Sequence, residues 1–476
     1  MQTKTHPAEV EGRNLGAAHS DDQGAIAHDA ARVPQRRSDH CLGRSVLVLL
    51  LAATCLTGQS AVDFYSPDSS HLWNRLYSGL IVRTKDGVVL DDLLDPPFWA
   101  ATRHLLTGES HTNALALLRE FAEDRDALRQ MTPLQRAVMQ RDLIAMFHWV
   151  EKTPMGLPDF TPEQCNLAEA MVRAIRQVAL TADEIHTLRD NYALASALPG
   201  AITAFDDKQP RRAFLPKDLL SDEGDWLALE PRRKQPLATP AHFRAFAGRS
   251  ALELRFRHAG GREAGEKYLE TLAALPKPFV FEKPTGVDMR AIMPYGDLEK
   301  GPWVNPETPQ FPPGSMWALV RRAILVDTQA NLVASPLIES VQVRVYRTLD
   351  PNPEQGQTVF EWEMSRRLLF AHGGFHLTKG IDQRFSQFMN GPLDPIESYD
   401  RLELNSRVVC AVCHMGSGIH SVQSRSRVFN KEQFEKEPDR PPEFRAVTSK
   451  RLEEVTLDLA SKRPNWQLLR RMWSVK

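Results

Sequence analysis

The chain is short of cysteine, of net charge and of long apolar runs, and each shortage removes a class of protein. Its five cysteines, Cys41, Cys55, Cys165, Cys410 and Cys413, are too few for the evenly paired framework of a secreted disulfide scaffold. Its 59 Lys and Arg balance 60 Asp and Glu, a formal net charge of −1, which leaves no basic footprint for nucleic acid or an anionic membrane. The longest apolar stretch, "VLVLLLAATCL" at 46–56, is 11 residues long. A membrane-spanning helix needs roughly 20. No glycine-rich nucleotide loop, His-Glu-x-x-His, Gly-x-Ser-x-Gly elbow or internal repeat occurs. What is present is ordinary globular composition, 42% hydrophobic and 25% charged, over 476 residues.

The 46–56 run has the parts of an export leader. Arg36, Arg37 and Arg44 precede it, and the small residues of "TGQSA" follow at 57–61. The polar stretch ahead of it is long for a leader, and a start at Val33 would give one of normal length. Cys55 in "LAATC" departs from a lipid-attachment box by carrying Ala52 and Thr54, so a lipid anchor is disfavoured. The chain is therefore expected to be exported, to the periplasm or the outer cell envelope.

Capping and periodicity set the expected fold. "TPLQ" at 132–135, "TPEQ" at 161–164 and "TADE" at 181–184 each place Thr three residues before Gln or Glu, the capping box that starts a helix. Leu167, Ala170, Met171, Ala174, Ile175 and Val178 then share one helix face, as do Met139, Leu143, Met146, Phe147 and Val150. His148 and His186 lie in these helices and are assigned to structure or surface. Nine prolines between Pro276 and Pro313 make that stretch extended. "WALVRRAILV" at 317–326, "IESVQVRVYR" at 338–347 and "VFEWEM" at 359–364 read as strands. The expectation is α+β, mainly α, in five parts. They are a leader at 1–60, a helical domain at 61–200, a mixed proline-rich connection at 201–313, a small antiparallel β section with a cysteine motif at 314–430, and a terminal helix at 431–476.

That motif lies in "RVVCAVCHMGSGIH", Arg407 to His420, where Cys410, Cys413 and His414 form Cys-x-x-Cys-His. With 5 Cys and 15 His in 476 positions, chance supplies the pattern about 0.002 times per chain. Two cysteines three apart lie on one side of a turn, where both thiols can bond haem vinyl groups and the next His can reach the iron. Zinc is a competitor, with Cys410, Cys413, His414 and His420 as four ligands, although adjacent Cys413 and His414 point awkwardly for one tetrahedral ion. A labile redox disulfide between Cys410 and Cys413 is another, although no thioredoxin-like strand and helix precede it.

Through Cys410, Cys413 and His414 the chain resembles c-type cytochromes. The resemblance implies one covalent haem c, bonded at Cys410 and Cys413, with His414 as the proximal iron ligand. It covers five positions and places no particular family. Small cytochromes c open with the motif, and cytochromes c′ continue a helix where Gly416 and Gly418 stand here.

The sixth ligand then decides function. "FAHGGFH" at 370–376 sets His372 and His376 around two glycines that permit close approach to a flat cofactor, and Met389 follows in "FSQFMNG". His376 is the first candidate for the distal face, with Met389, His372 and His420 as weaker alternatives. A glycine turn with two ordinary histidines is the plainer reading of the same stretch. Arg366, Arg367, Arg425 and Arg427 are candidates for pairing with haem carboxylates. Two strong axial ligands would make a single-electron carrier serving a redox partner protein. An open distal face would make a peroxidase-like haem enzyme or ligand binder. Zinc or a disulfide would make a non-redox binding protein. Electron transfer leads, and no catalytic residue is identified.

Overall fold

The structure, a computed structural model, describes residues 62–85, 87–95, 104–151, 161–230, 248–275, 279–280, 282–289, 303–350, 356–371, 374–377, 418–422 and 445–474. The leader and its 46–56 run lie outside them. Among the described residues no helix is long and apolar enough to cross a membrane.

Locally written ends start most of the helices. After α1 (Leu72–Leu80) and the hairpin β1 (Arg83–Lys85) and β2 (Val88–Leu90) come α2 (Gly108–Glu123), α3 (Arg125–Gln130), α4 (Pro133–Glu151), α5 (Pro162–Gln177), α6 (Ala182–His186) and α7 (Asn191–Ala197). All three capping boxes close. The hydroxyls of Thr132, Thr161 and Thr181 accept from the backbone N–H three residues on, each at 3.2 Å, and the Gln135, Gln164 and Glu184 side chains accept the Thr N–H in return. The stripes of α4 and α5 meet Trp73, Leu76, Leu118 and Phe121 of α1 and α2 in one core. Unlike a surface helix, α4 is buried at every position from 137 to 150, including Gln140, Arg141, Asp142 and His148. Its polar side chains must therefore find partners inside the protein.

A seven-stranded antiparallel sheet forms the other half. Its strands are β3 (Trp226–Glu230), β4 (Ser250–Arg257), β7 (Met316–Val326), β8 (Leu332–Tyr346), β9 (Gln357–Met364), β10 (Phe375–Leu377) and β11 (Arg445–Val447). They run in the order β10-β9-β8-β7-β4-β3-β11. Between β4 and β7 lie α8 (Arg262–Ala273) and the short pair β5 (Phe279–Val280) and β6 (Trp303–Val304). Around the remaining strands come α9 (Arg366–Ala371), α10 (Ile419–Val422), α11 (Ser449–Ser461) and α12 (Pro464–Trp473).

The expectation of a mainly helical chain with a small β section is thereby corrected. The strands legible by alternation, β7 to β9, are the middle of a sheet that also draws on 226–257 and 445–447. Alternation needs one wet face, and here both faces are covered. One face, with Val320, Val341, Val343 and Phe360, packs on Tyr192, Phe214 and Leu219. The opposite face, with Leu227, Phe256, Trp317 and Tyr346, packs on Tyr268, Leu269 and Leu272 of α8 and on Phe311.

Two amide side chains join helix to sheet by imitating a neighbouring strand. Gln140 accepts from the Val326 N–H and donates to the Val326 C=O, both at 2.9 Å. Asn191 treats Ile338 the same way, at 2.8 and 2.9 Å. Four buried backbone groups are satisfied by these two residues, which fixes α4 and α7 against the strands.

Candidate functional site

Cys410, Cys413 and His414 lie outside the described residues, and so do His372, Met389, Arg425 and Arg427. The described chain resumes at Gly418, four residues after His414, and α10 carries His420. This turn is the part of the motif's surroundings whose geometry is on view.

Three separate contacts hold α10. The Ile419 N–H donates to Gln310 Oε1 at 2.9 Å, and the Ile419 side chain is buried with Phe311, Tyr346 and Phe256. The Tyr346 hydroxyl lies 2.6 Å from Ser421 Oγ, and Ser421 Oγ donates to the Gly418 C=O at 2.8 Å. Because the serine proton is committed to Gly418, the phenol is the donor to serine. Burial raises the Tyr346 pKa above its ordinary value, so that proton stays in place. Gly418 has φ +49°, and a Cβ there would overlap the Gln310 amide, so only glycine fits this turn.

Next to these satisfied groups, His420 is 5% exposed and its Nδ1 has no hydrogen-bond partner. Burial pushes its pKa down to about 4, so the ring is neutral at pH 7.

His376 stands elsewhere. It lies on β10 opposite Glu363 of β9, which in turn faces Ser340 of β8. Tyr346 is on the same face of β8, six residues further along, a distance of about 20 Å at the rise of a strand. The face between them carries Gln342 and Arg344 of β8 opposite Glu361 and Val359 of β9. His376 and the turn that carries His420 are thus at opposite ends of one sheet face, and the structure does not bring them together.

Two of the arginines set aside for haem carboxylates are already engaged. Arg367 is exposed and pairs with Asp63 at 2.7 Å. Arg366 is fully buried, with Nε and Nη2 on the Asp142 carboxylate at 2.8 and 2.5 Å, Nη1 on the Leu93 C=O at 2.7 Å and Nη2 on the Leu94 C=O at 3.3 Å. Neither is placed to receive a cofactor.

Arg366 belongs to a buried charge network that pattern reading missed. Arg141, Arg249, Arg321 and Arg366 face Asp92, Asp95, Asp142 and Glu339, four charges of each sign. Asp95 meets Arg141, Arg249 and Arg321 at 2.9, 2.9 and 2.8 Å. Glu339 meets Arg141 at 2.5 Å and Arg321 at 3.3 Å, and accepts from Ser250 Oγ. Burial alone would raise both carboxyl pKa values. The guanidinium groups outweigh it, holding Asp95 well below its ordinary value and Glu339 below its own. A smaller knot places Glu253 between Arg322 at 2.6 Å and Arg255 at 2.9 Å. Burial there is again outweighed by the two arginines, leaving a pKa of about 2. One signal was available for the large network: Gln140-Arg141-Asp142 interrupts the otherwise apolar "AVMQRDLIAMF".

Among the described residues no group of three or more His, Cys, Asp or Glu is placed to hold a metal ion, and Cys165 is a free thiol in α5. No family model matches the chain, and neither does any curated protein or solved structure. Function has to be argued from the chain's own residues.

Proposed function

We propose that this is an exported c-type haem protein that transfers single electrons at one haem c, bound through Cys410 and Cys413 with His414 as proximal ligand. The spacing of those three residues carries the reading. The described neighbours suit it. Gly418 anchors the chain at most about 14 Å from His414 by backbone reach, and beside it His420 presents a buried ring nitrogen with no partner. Haem held in this way supplies reversible one-electron chemistry at iron. The chain's own part is to fix the ligand geometry, shield the metal and meet a redox partner protein. Export belongs to the same reading, since haem is joined to reduced thiols outside the cytoplasm. His376 is the proposed distal ligand, with Met389 and His372 as the alternatives.

The test is co-expression of the full chain with a haem-attachment system, followed by a haem-stained denaturing gel and a pyridine haemochrome spectrum. A stained band with a c-type spectrum is expected, lost altogether in Cys410→Ala/Cys413→Ala. A wild-type chain without haem, made beside a control cytochrome that acquires it, would sink the proposal and direct attention to zinc content and thiol titration. In the haem-loaded protein, His376→Ala should convert a six-coordinate low-spin spectrum to a high-spin one. An unaltered spectrum would remove His376 from the distal position.

A further inference from the structure

We propose that the outer side of α7 and the turn that follows it form a contact between two copies of this chain. Among the described residues only three large apolar side chains are exposed: Leu194, Leu198 and Val287, at 37, 44 and 38%. Two of the three, Leu194 in α7 and Leu198 just past its end, stand one helical turn apart. Ala193, Ala197, Pro199 and Ala201 around them are exposed too, and no charged residue or histidine occurs from Asn191 to Phe205. Apolar side chains gathered on the surface in this way mark a docking site. The leucines are not free to turn inward, because α7 is pinned from its other side. Asn191 holds both backbone groups of Ile338, and the Tyr192 hydroxyl donates to the Pro216 C=O.

The charges bordering this surface select its occupant. Arg189 stands where the chain enters it and Asp207 where the chain leaves it. Both are exposed, and among the described residues neither has an ion-pair partner. Their neighbours Asp190 and Asp206 are spent locally, accepting from the Ala193 and Lys208 N–H groups, each at 2.9 Å. A two-fold contact sets one border of each copy against the other border of its partner, so it must be self-complementary. Arg189 of each copy then meets Asp207 of the other, and Leu194 packs beside Leu198 across the axis. The small side chains of Ala193 and Ala197 let the two helices approach. A lipid surface fits less well, since Asp190, Asp206 and Asp207 outnumber Arg189 and Lys208 at the borders and anionic lipid rewards basic residues. The contact does not depend on haem.

Sedimentation velocity of the full chain from about 1 to 100 μM tests this. Wild type should pass from monomer to dimer over that range. Leu194→Glu/Leu198→Glu should stay monomeric throughout, with its far-UV circular dichroism and melting temperature unchanged, because both side chains lie outside the core. Arg189→Asp should weaken association roughly tenfold, and Arg189→Asp/Asp207→Arg should restore it. A wild type still monomeric at the highest concentration overturns the inference, and so does a dimer that the glutamates leave intact. A monomeric wild type that floats with phosphatidylcholine and phosphatidylglycerol vesicles, when the glutamate variant does not, overturns it in favour of a membrane. Should the glutamate variant misfold, the charge exchange decides: no weakening in Arg189→Asp, or weakening without recovery in the exchanged pair, overturns the inference.

Discussion

Arg366→Ala should cost about 3–5 kcal/mol of folding free energy. The loss comes less from the missing attraction than from what stays behind. Asp142 is fully buried and would keep only Arg141, at 3.0 Å, of its two arginines. The Leu93 carbonyl would lose its Arg366 donor in the same step while the Leu94 carbonyl would keep only Arg141, and the guanidinium would leave its seat 5.0 Å from the centre of the Tyr77 ring. Arg366→Lys should fail to rescue the site, because one ammonium cannot hold a carboxylate in two places and reach two carbonyls as well. Adding Asp142→Asn to Arg366→Ala should recover roughly half the loss, since it removes the stranded charge. Urea unfolding of the four proteins measures all of this, with an unchanged m-value as the sign that the transition is the same. A cost below ~1 kcal/mol for Arg366→Ala would mean that the network is not holding the fold together.

That network shows where reading the sequence stops. Helix starts were legible because Thr132, Thr161 and Thr181 are answered three residues later, within the reach of local pattern. Strands β7 to β9 were legible because they are long and one of them alternates Val341, Val343 and Val345 with polar neighbours. β4 was not, since "SALELRFR" buries Glu253 and Arg255 as well as Leu252 and Phe256, and their charges are answered by Arg322 and Ser449 far along the chain. The charge pairs are further still from local. Arg141 meets Asp95 across 46 residues and Arg366 meets Asp142 across 224. A lone Arg366 in sequence therefore reads as a surface cation free for a cofactor, and only its partners show otherwise. For the site, spacing alone singled out Cys410, Cys413 and His414. The isolation of the His420 ring nitrogen is a fact of burial in the folded chain, and no spacing rule contains it.

Acid should destabilise the haem-free Cys410→Ala/Cys413→Ala chain over two pH ranges, and His420 should be the larger contributor to the first, beside His258, whose pKa burial also lowers. The folded pKa of His420 is about 4 against 6.5 when exposed. Between those values the unfolded chain binds the extra proton, so the contribution is fully present above pH 6.5 and lost as pH falls to about 4. The size of that loss is on the order of 3 kcal/mol. The second range belongs to the buried carboxylates. Glu253, with a folded pKa of about 2 against 4.5, and Asp95 and Glu339, also depressed, contribute stability above their unfolded values and surrender it as pH falls through the folded ones. Urea midpoints taken from pH 7.5 down to the acid limit of folding should thus slope twice. His420→Leu, which replaces an unpaired ring with an apolar side chain, should flatten the slope between pH 6.5 and 4 and leave the lower one as it was. If the upper slope survives the substitution unchanged, His420 is not the group that takes up the proton, and its ring is better solvated in solution than its burial implies.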